Sequence, residues 1–101
     1  TLEEVFTLIK DDLKDALELF PSDAFETGRN HWSKASTLAL KADVYLWTAR
    51  RMNGGEADFR TALTACEDVQ QISGIRLLPD FKEVFAYENK GNDEVLMAIN
   101  Y

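Results

Sequence analysis

The sequence has one cysteine and one histidine, and both shortages exclude common kinds of site. A single cysteine cannot form an internal disulfide, and a single histidine cannot supply a two-histidine zinc site or a two-histidine mechanism. Proline and glycine are also scarce, at two and five residues, which excludes collagen-like and linker-like composition. No apolar run approaches the roughly 18 residues of a transmembrane helix.

Positive charge is scarce as well: the sequence has 11 basic and 18 acidic residues, and its formal net charge is -7. Such a chain repels phosphates and anionic lipid, which argues against non-specific binding to nucleic acid or to a membrane surface. With 101 residues, 46% of them hydrophobic, the chain has the composition of one small folded domain. It has no initiating methionine and no signal peptide, so we expect it to be a piece of a longer protein.

Three segments have the three- and four-residue hydrophobic spacing of amphipathic helices. The spacing predicts a first helix over about residues 2–20, which Pro21 ends because proline disfavours helical backbone in the residue before it. It predicts a second helix over about 34–52, with Ser33 as the N-cap, and a third over about 56–73. The inward-facing residues predicted for the first helix are Leu2, Val5, Phe6, Ile9, Leu13, Ala16, Leu17 and Phe20.

The second and third helices are separated only by the break Asn53-Gly54-Gly55. Helices joined by so short a turn must lie antiparallel, and the pair has about the length of a tetratricopeptide hairpin, whose period is ~34 residues. The residues predicted to face inward are Ala35, Leu38, Ala39, Ala42, Tyr45, Leu46 and Ala49 in the second helix and Phe59, Ala62, Leu63, Cys66, Val69 and Ile72 in the third.

The hydrophobic pattern changes after Gly74, which we expect to close the third helix. Pro79 precedes a short predicted helix over about 80–88, and alternating apolar residues predict a strand over about 94–101. The predicted fold class is therefore mainly α, with tetratricopeptide-like helical hairpins, a short helix and a C-terminal strand.

No combination of residues predicts catalysis, a cofactor site or a metal site. Cys66 lies on the predicted inward face, where a small core residue is expected and no histidine is near in sequence to act as a base. His31 precedes the start of a helix, where we expect a surface or capping role. A metal site formed by His31 with Asp23 and Glu26 is possible but unsupported, because the three residues do not have the sequence spacing of a known set of metal ligands. Four acidic residues of the first helix are predicted to form a face exposed to solvent. Such a face does not supply the two carboxylates flanking a cleft that glycoside hydrolysis requires. The four residues are Asp11, Asp12, Asp15 and Glu18.

Two tryptophans are candidates for a partner interface. Trp47 lies two residues beyond Tyr45, about 200° around the helix, so the two rings face different sides. Trp32 stands just before the second helix. Because tryptophan is enriched among residues that anchor interfaces, we expect Trp32 and Trp47 to be weak candidates for contact with a partner.

The run Ser33–Trp47, with Gly28-Arg29 before it, resembles the SusD/RagB-type outer-membrane glycan-binding lipoproteins of Bacteroidetes and their pattern GR-x-T-K-x-A-A-x-A-L-x-A-R-x-Y-L. Four further segments are similar to that family in the same order, so the resemblance covers essentially the whole chain. These segments are Ile9–Pro21, Phe59–Gly74, Leu77–Phe85 and Asn92–Ile99.

The resemblance implies a helical body of tetratricopeptide-like hairpins in a protein that is tethered by lipid to the outer membrane and faces outward. It implies capture of oligosaccharides and their transfer to a TonB-dependent transporter, with no enzymatic chemistry and no cofactor. The glycan is expected to bind mainly outside this segment, which would be scaffold. The hairpin taken alone leaves another function open, that of a tetratricopeptide adaptor binding a peptide in a concave groove.

Overall fold

The computed structural model describes residues 1–20, 32–72, 75–85 and 92–97 of the chain. These residues form an antiparallel helical hairpin with a third long helix packed beside it and a short helix near the C-terminal end. The predicted predominance of helix is confirmed. The helices are α1 (Leu2–Leu19), α2 (Lys34–Arg51), α3 (Gly55–Gln70) and α4 (Phe81–Val84).

Helix α1 begins with a reciprocal capping box. The Thr1 hydroxyl accepts a hydrogen bond from the Glu4 amide at 3.2 Å, and the Glu4 carboxylate accepts one from the Thr1 amino group. The helix ends at Phe20, whose extended backbone conformation is the one expected before a proline. The predicted bounds of about 2–20 therefore differ from the observed ones by a single residue.

Helix α2 begins at the predicted N-cap. Ser33 accepts a hydrogen bond from the Ser36 amide, and the Ser36 hydroxyl accepts one from the Ser33 amide at 2.8 Å. The Thr37 hydroxyl donates to the Ser33 carbonyl at 2.9 Å. All three side chains are buried, and these bonds satisfy polar groups that would otherwise be costly to remove from water. The first turn of α2 is therefore held by its own side chains.

The turn between α2 and α3 uses two residues with left-handed backbone. Asn53 has a φ of 61° and Gly55 a φ of 62°. Asparagine and glycine adopt this conformation at the lowest steric cost, which explains the tight break seen in the sequence. The Gly54 amide donates to the Thr48 carbonyl and closes the end of α2. The two helices consequently return antiparallel and pack along their length.

Small side chains at the α2–α3 contact let the two helices approach closely. Ala35 and Ala65 are 0% and 1% exposed, and Ala49 and Ala62 are also buried. An apolar cluster that includes Ala35 lies at the end where α2 begins and α3 ends. It consists of Ala35, Leu38 and Ile72, with Leu17, Val69, Ile75 and Leu96 packed against it.

Several residues predicted to face inward are exposed. The prediction was wrong for Leu2 and Val5 at the start of α1, which are 60% and 53% exposed. It was also wrong for Leu46, Phe59 and Leu63, which are 47%, 42% and 59% exposed, and for Cys66, which is exposed too. The physical reason is that the apolar arcs of the three long helices are wider than the contacts between them can cover. The alanines face the partner helix, and these bulkier side chains lie on the flank.

The C-terminal part of the described chain corrects two predictions. The helix expected over about 80–88 is the single turn Phe81–Val84, and Phe85 is already non-helical. Asn92 ends this turn, because its side-chain amide donates to the Val84 carbonyl at 3.0 Å. Residues 86–91, which include the end of the predicted helix, lie outside the described residues.

The strand predicted over about 94–101 is absent from its described part, 94–97, where the chain forms turns and irregular backbone. This part of the chain is joined to residues 76–78 by two hydrogen bonds: the Arg76 amide donates to the Asp93 carbonyl, and the Leu78 amide donates to the Glu94 carboxylate. Alternating apolar residues form a strand only where a neighbouring strand pairs with them. Residues 98–101 lie outside the described residues.

No helix within the described ranges is both long enough and apolar enough to cross a lipid bilayer.

Candidate functional site

A polar cluster beside the α2–α3 turn joins the three long helices. Asp58 of α3 accepts a hydrogen bond from Thr48 of α2 at 2.7 Å and one from the Lys10 ammonium of α1 at 3.2 Å. The Lys10 Nζ also lies 4.3 Å from the centroid of the Tyr45 ring, a cation–π contact. The Lys10 and Asp58 side chains are 23% and 17% exposed, so this ion pair is largely shielded from solvent.

Gly54 makes room for this cluster. A Cβ atom at residue 54 would lie only 1.8 Å from the Asp58 Oδ2 atom that accepts both hydrogen bonds. Asp58 therefore depends on the absence of a side chain four residues before it. Because the carboxylate is already occupied by an ammonium and a hydroxyl, the arrangement is suited to holding helices together rather than to proton transfer.

An open cleft of about 450 Å³ lies where α1, α2 and α3 meet, at the end opposite the α2–α3 turn. Its floor is apolar and its rim carries charges of both signs, which gives it no strong preference for an anion or a cation. The residues that line it are Leu17, Glu18, Lys34, Leu38, Lys41, Asp68, Gln71 and Ile72.

Both candidate interface tryptophans are accessible, but they are far apart. Trp47 is 51% exposed, and the Arg51 guanidinium carbon lies 5.6 Å from its ring centroid. Trp32 is 54% exposed just before α2. The helical rise between Ser33 and Trp47 separates the two positions by about 20 Å. They do not form one site, and their role in an interface stays a prediction.

The remaining candidates fall into three groups. Cys66 is exposed on α3 rather than buried. The acidic side chains of α1 named above are exposed, and within ranges 1–20, 32–72, 75–85 and 92–97 no cluster of three or more His, Cys, Asp or Glu residues is placed to hold a metal ion. His31, Asp23, Glu26 and Gly74 lie outside the described residues.

The polar cluster was not predicted from the sequence, because Lys10 stands beside the acidic residues Asp11 and Asp12, which are predicted to face solvent. The available signal was local: Gly54 stands four residues before Asp58, and Lys10 follows Ile9 at the edge of the apolar stripe. Neither feature says that residues 48 positions apart in the chain meet.

Comparisons of the sequence and of the fold with known proteins lead to the same family. No family model matches the chain. A SusD-like protein of Bacteroides ovatus is 30% identical over 102 residues, an alignment that covers 98% of this chain and 18% of that protein. The crystal structure of a SusD superfamily protein from Bacteroides vulgatus has a TM-score of 0.89 and 40% sequence identity, covering 97% of this chain and 21% of the other.

A further crystal structure, described as being with a xylogluco-oligosaccharide, has a TM-score of 0.83 and 29% identity. That comparison covers 98% of this chain and 20% of the other. The chain thus spans about a fifth of the length of the proteins it matches. Sequence and fold together confirm the resemblance: these 101 residues are SusD-like, and they correspond over nearly their whole length to a mainly helical stretch of SusD superfamily proteins.

Proposed function

We propose that the chain is the scaffold part of a cell-surface lipoprotein that captures oligosaccharides and works with a TonB-dependent outer-membrane transporter. The observation that carries the proposal is the close match, over 98% of this chain, to the structure with a xylogluco-oligosaccharide. The lipid anchor and most of the glycan site belong to parts of the polypeptide beyond these residues.

The scaffold role is supported by how the described side chains are used. Helices α2 and α3 pack through alanines, and the Asp58 carboxylate joins Lys10 of α1 to the α2–α3 hairpin. Glycan sites need exposed rings and hydrogen-bonding groups that converge on one ligand. The two exposed tryptophans are instead about 20 Å apart, and the cleft at the helix ends has an apolar floor without an aromatic ring.

Trp47 is the residue that we propose for contact with the transporter. Its ring lies on the outer side of α2 beside the exposed Arg51, and exposed tryptophan and arginine are the residue types most enriched at interface hot spots. Trp32 is a second, separate candidate for the same partner.

The proposal is tested first on glycan binding by the longer natural polypeptide that contains these residues. Calorimetric titration with a panel that includes xylogluco-oligosaccharides should show binding to at least one member. Co-purification from outer membranes should bring down a TonB-dependent transporter. No glycan binding together with recovery of soluble peptide partners only would refute the proposal and favour the adaptor.

A second experiment tests whether this hairpin contributes to glycan binding or only to the scaffold. We expect Trp47→Ala in the full polypeptide to leave glycan affinity unchanged, because the sugar binds elsewhere, and to reduce recovery of the transporter. Leu8→Ala is the matched control, since Leu8 is similarly exposed, at 61%, on α1. A loss of glycan affinity in Trp47→Ala would move the glycan site onto this hairpin.

A further inference from the structure

The turn between α2 and α3 contains a dipeptide that is chemically labile. Asn53 is followed by a glycine, whereas the other asparagines of the sequence precede histidine, lysine, aspartate and tyrosine. Asparagine is one of the labile residues of proteins, because the backbone nitrogen of the next residue can attack its side-chain amide. A glycine in the next position has no Cβ atom to hinder this approach. Asn53 is therefore the asparagine whose sequence context most favours the reaction.

The structure leaves Asn53 accessible to water. It directly follows Met52, the C-cap of α2, and it is exposed. Its φ of 61° takes the chain out of the helix, so no further helical turn covers the side chain. The base and the water that the reaction consumes can both reach this position.

Asn92 has the opposite surroundings. It is 9% exposed, its side-chain amide donates to the Val84 carbonyl at 3.0 Å, and its side-chain oxygen accepts a hydrogen bond from the Glu94 amide at 3.0 Å. These bonds fix the side chain on groups other than the nitrogen of Asp93, which would have to attack it. Asn92 is thus an internal control within the same protein.

The fold nevertheless restrains the reaction at Asn53. The attacking nitrogen would be that of Gly54, and its N–H group donates to the Thr48 carbonyl at 3.0 Å. The nitrogen becomes a nucleophile only when it loses this proton, so the hydrogen bond has to break first. Exposed turns open locally at a lower free energy than the whole domain unfolds. Opening of the turn is therefore the step that exposes the nitrogen.

We propose that Asn53 is a deamidation site whose rate is set by opening of the α2–α3 turn. In the open turn a base removes the Gly54 amide proton, and the nitrogen forms a bond to the Cγ atom of Asn53. The Cγ–Nδ2 bond breaks, ammonia leaves, and a cyclic succinimide remains. Water then opens the ring at either carbonyl and gives aspartate or isoaspartate. The net reaction is a hydrolysis that consumes water, releases ammonia and changes no oxidation state.

The two products affect the hairpin differently. Aspartate keeps the backbone length and tolerates left-handed φ as asparagine does. Isoaspartate leads the main chain through the former side chain, which inserts an extra carbon atom before the nitrogen of Gly54. The Gly54 amide is then displaced from the Thr48 carbonyl, and the hydrogen bond that closes the end of α2 is lost. Isoaspartate therefore holds the turn open.

Ageing of the full natural polypeptide at neutral pH, followed by peptide mapping with mass spectrometry, tests the site. In the folded protein we expect Asn53 to convert to the acid while Asn92 does not. In guanidinium chloride the rate at Asn53 should rise at least about tenfold, because the turn is already open. The matched control is Asn53→Gly, which keeps a residue suited to left-handed backbone and should release no ammonia from this peptide. Equal rates in the folded and unfolded chain, or a folded protein in which Asn53 does not convert, would overturn the proposal.

Hydrogen exchange tests the effect on the turn. Ion exchange isolates the aged protein, because deamidation replaces a neutral side chain with a carboxylate. In the peptide that spans the turn, exchange should be at least about tenfold faster for the isoaspartate form than for the Asn53→Asp variant, which has the same charge and an unaltered backbone. Equal exchange in the two would refute the effect assigned to isoaspartate. Neither experiment depends on whether the polypeptide binds a glycan, so failure here leaves the proposed function standing.

Discussion

At the scale of single residues, two ion pairs that involve α3 differ in burial rather than in charge. Lys10 and Asp58 are each less than a quarter exposed, and Thr48 donates a further hydrogen bond to the same carboxylate. Arg60 and Glu56 form a pair four residues apart along α3, with both side chains 77% exposed. Solvent screens the second pair and leaves it little net effect on stability.

Asp58→Ala should therefore destabilise the chain by about 1–3 kcal/mol, because it leaves Lys10 partly buried without its carboxylate and removes the nearer of two acceptors for the Thr48 hydroxyl, the other being the Tyr45 carbonyl. Arg60→Ala is the control and should change the free energy of unfolding by less than about 1 kcal/mol. Both values are measured by urea denaturation. Equal losses for the two variants would mean that Asp58 does not hold α1 in place.

At the scale of elements, the α2–α3 turn depends on backbone conformation more than on contacts. A Cβ atom at Gly55 would meet no atom within 4 Å, so space does not restrict this position. The φ of 62° at Gly55 restricts this position instead, because a residue with a side chain is strained in left-handed backbone. Asn53 adopts nearly the same φ but is one of the residue types that tolerate it.

Gly55→Ala should cost about 1–2 kcal/mol of stability, the strain of an alanine held in left-handed backbone. Asn53→Gly is the matched control at the other left-handed position and should change stability by less than about 1 kcal/mol. Thermal unfolding followed by circular dichroism measures both. A neutral Gly55→Ala would show that the turn can adopt another conformation.

The elements also show what sequence patterns can and cannot predict. Ser33 was identified as a cap because capping is local chemistry, and the starts of α2 and α3 were placed within a residue of their observed positions. The strand over 94–101 depended on a partner segment, which no local pattern specifies. The single turn of α4 is short for the same reason, since packing rather than propensity decides where a weak helix stops.

At the scale of the whole molecule, burial is uneven around α2. Leu38 is 5% exposed within the cluster at the start of α2, whereas Leu46, two turns further along, is 47% exposed. Helical spacing places both residues on the inner side, but the position of α1 and α3 decides which of them is covered. Sequence periodicity predicts an apolar arc and does not predict how many neighbours share it.

Leu38→Ala should destabilise the 101-residue chain by about 2–5 kcal/mol, as expected for a leucine removed from a packed core. Leu46→Ala should cost much less, about 1 kcal/mol or below, because half of its side chain already contacts water. Chemical denaturation of the two variants compares them directly. Equal costs would show that Leu46 is packed as closely as Leu38 within this chain.

The short turn between α2 and α3 also has a kinetic consequence. Contacts within the hairpin join residues that are close in sequence, while the Lys10–Asp58 contact joins residues 48 positions apart. The entropy lost on closing a loop grows with its length, and local contacts form faster than distant ones. We therefore expect the hairpin to form first as the chain folds, and α1 to dock on it afterwards, when Asp58 is already in place to receive Lys10.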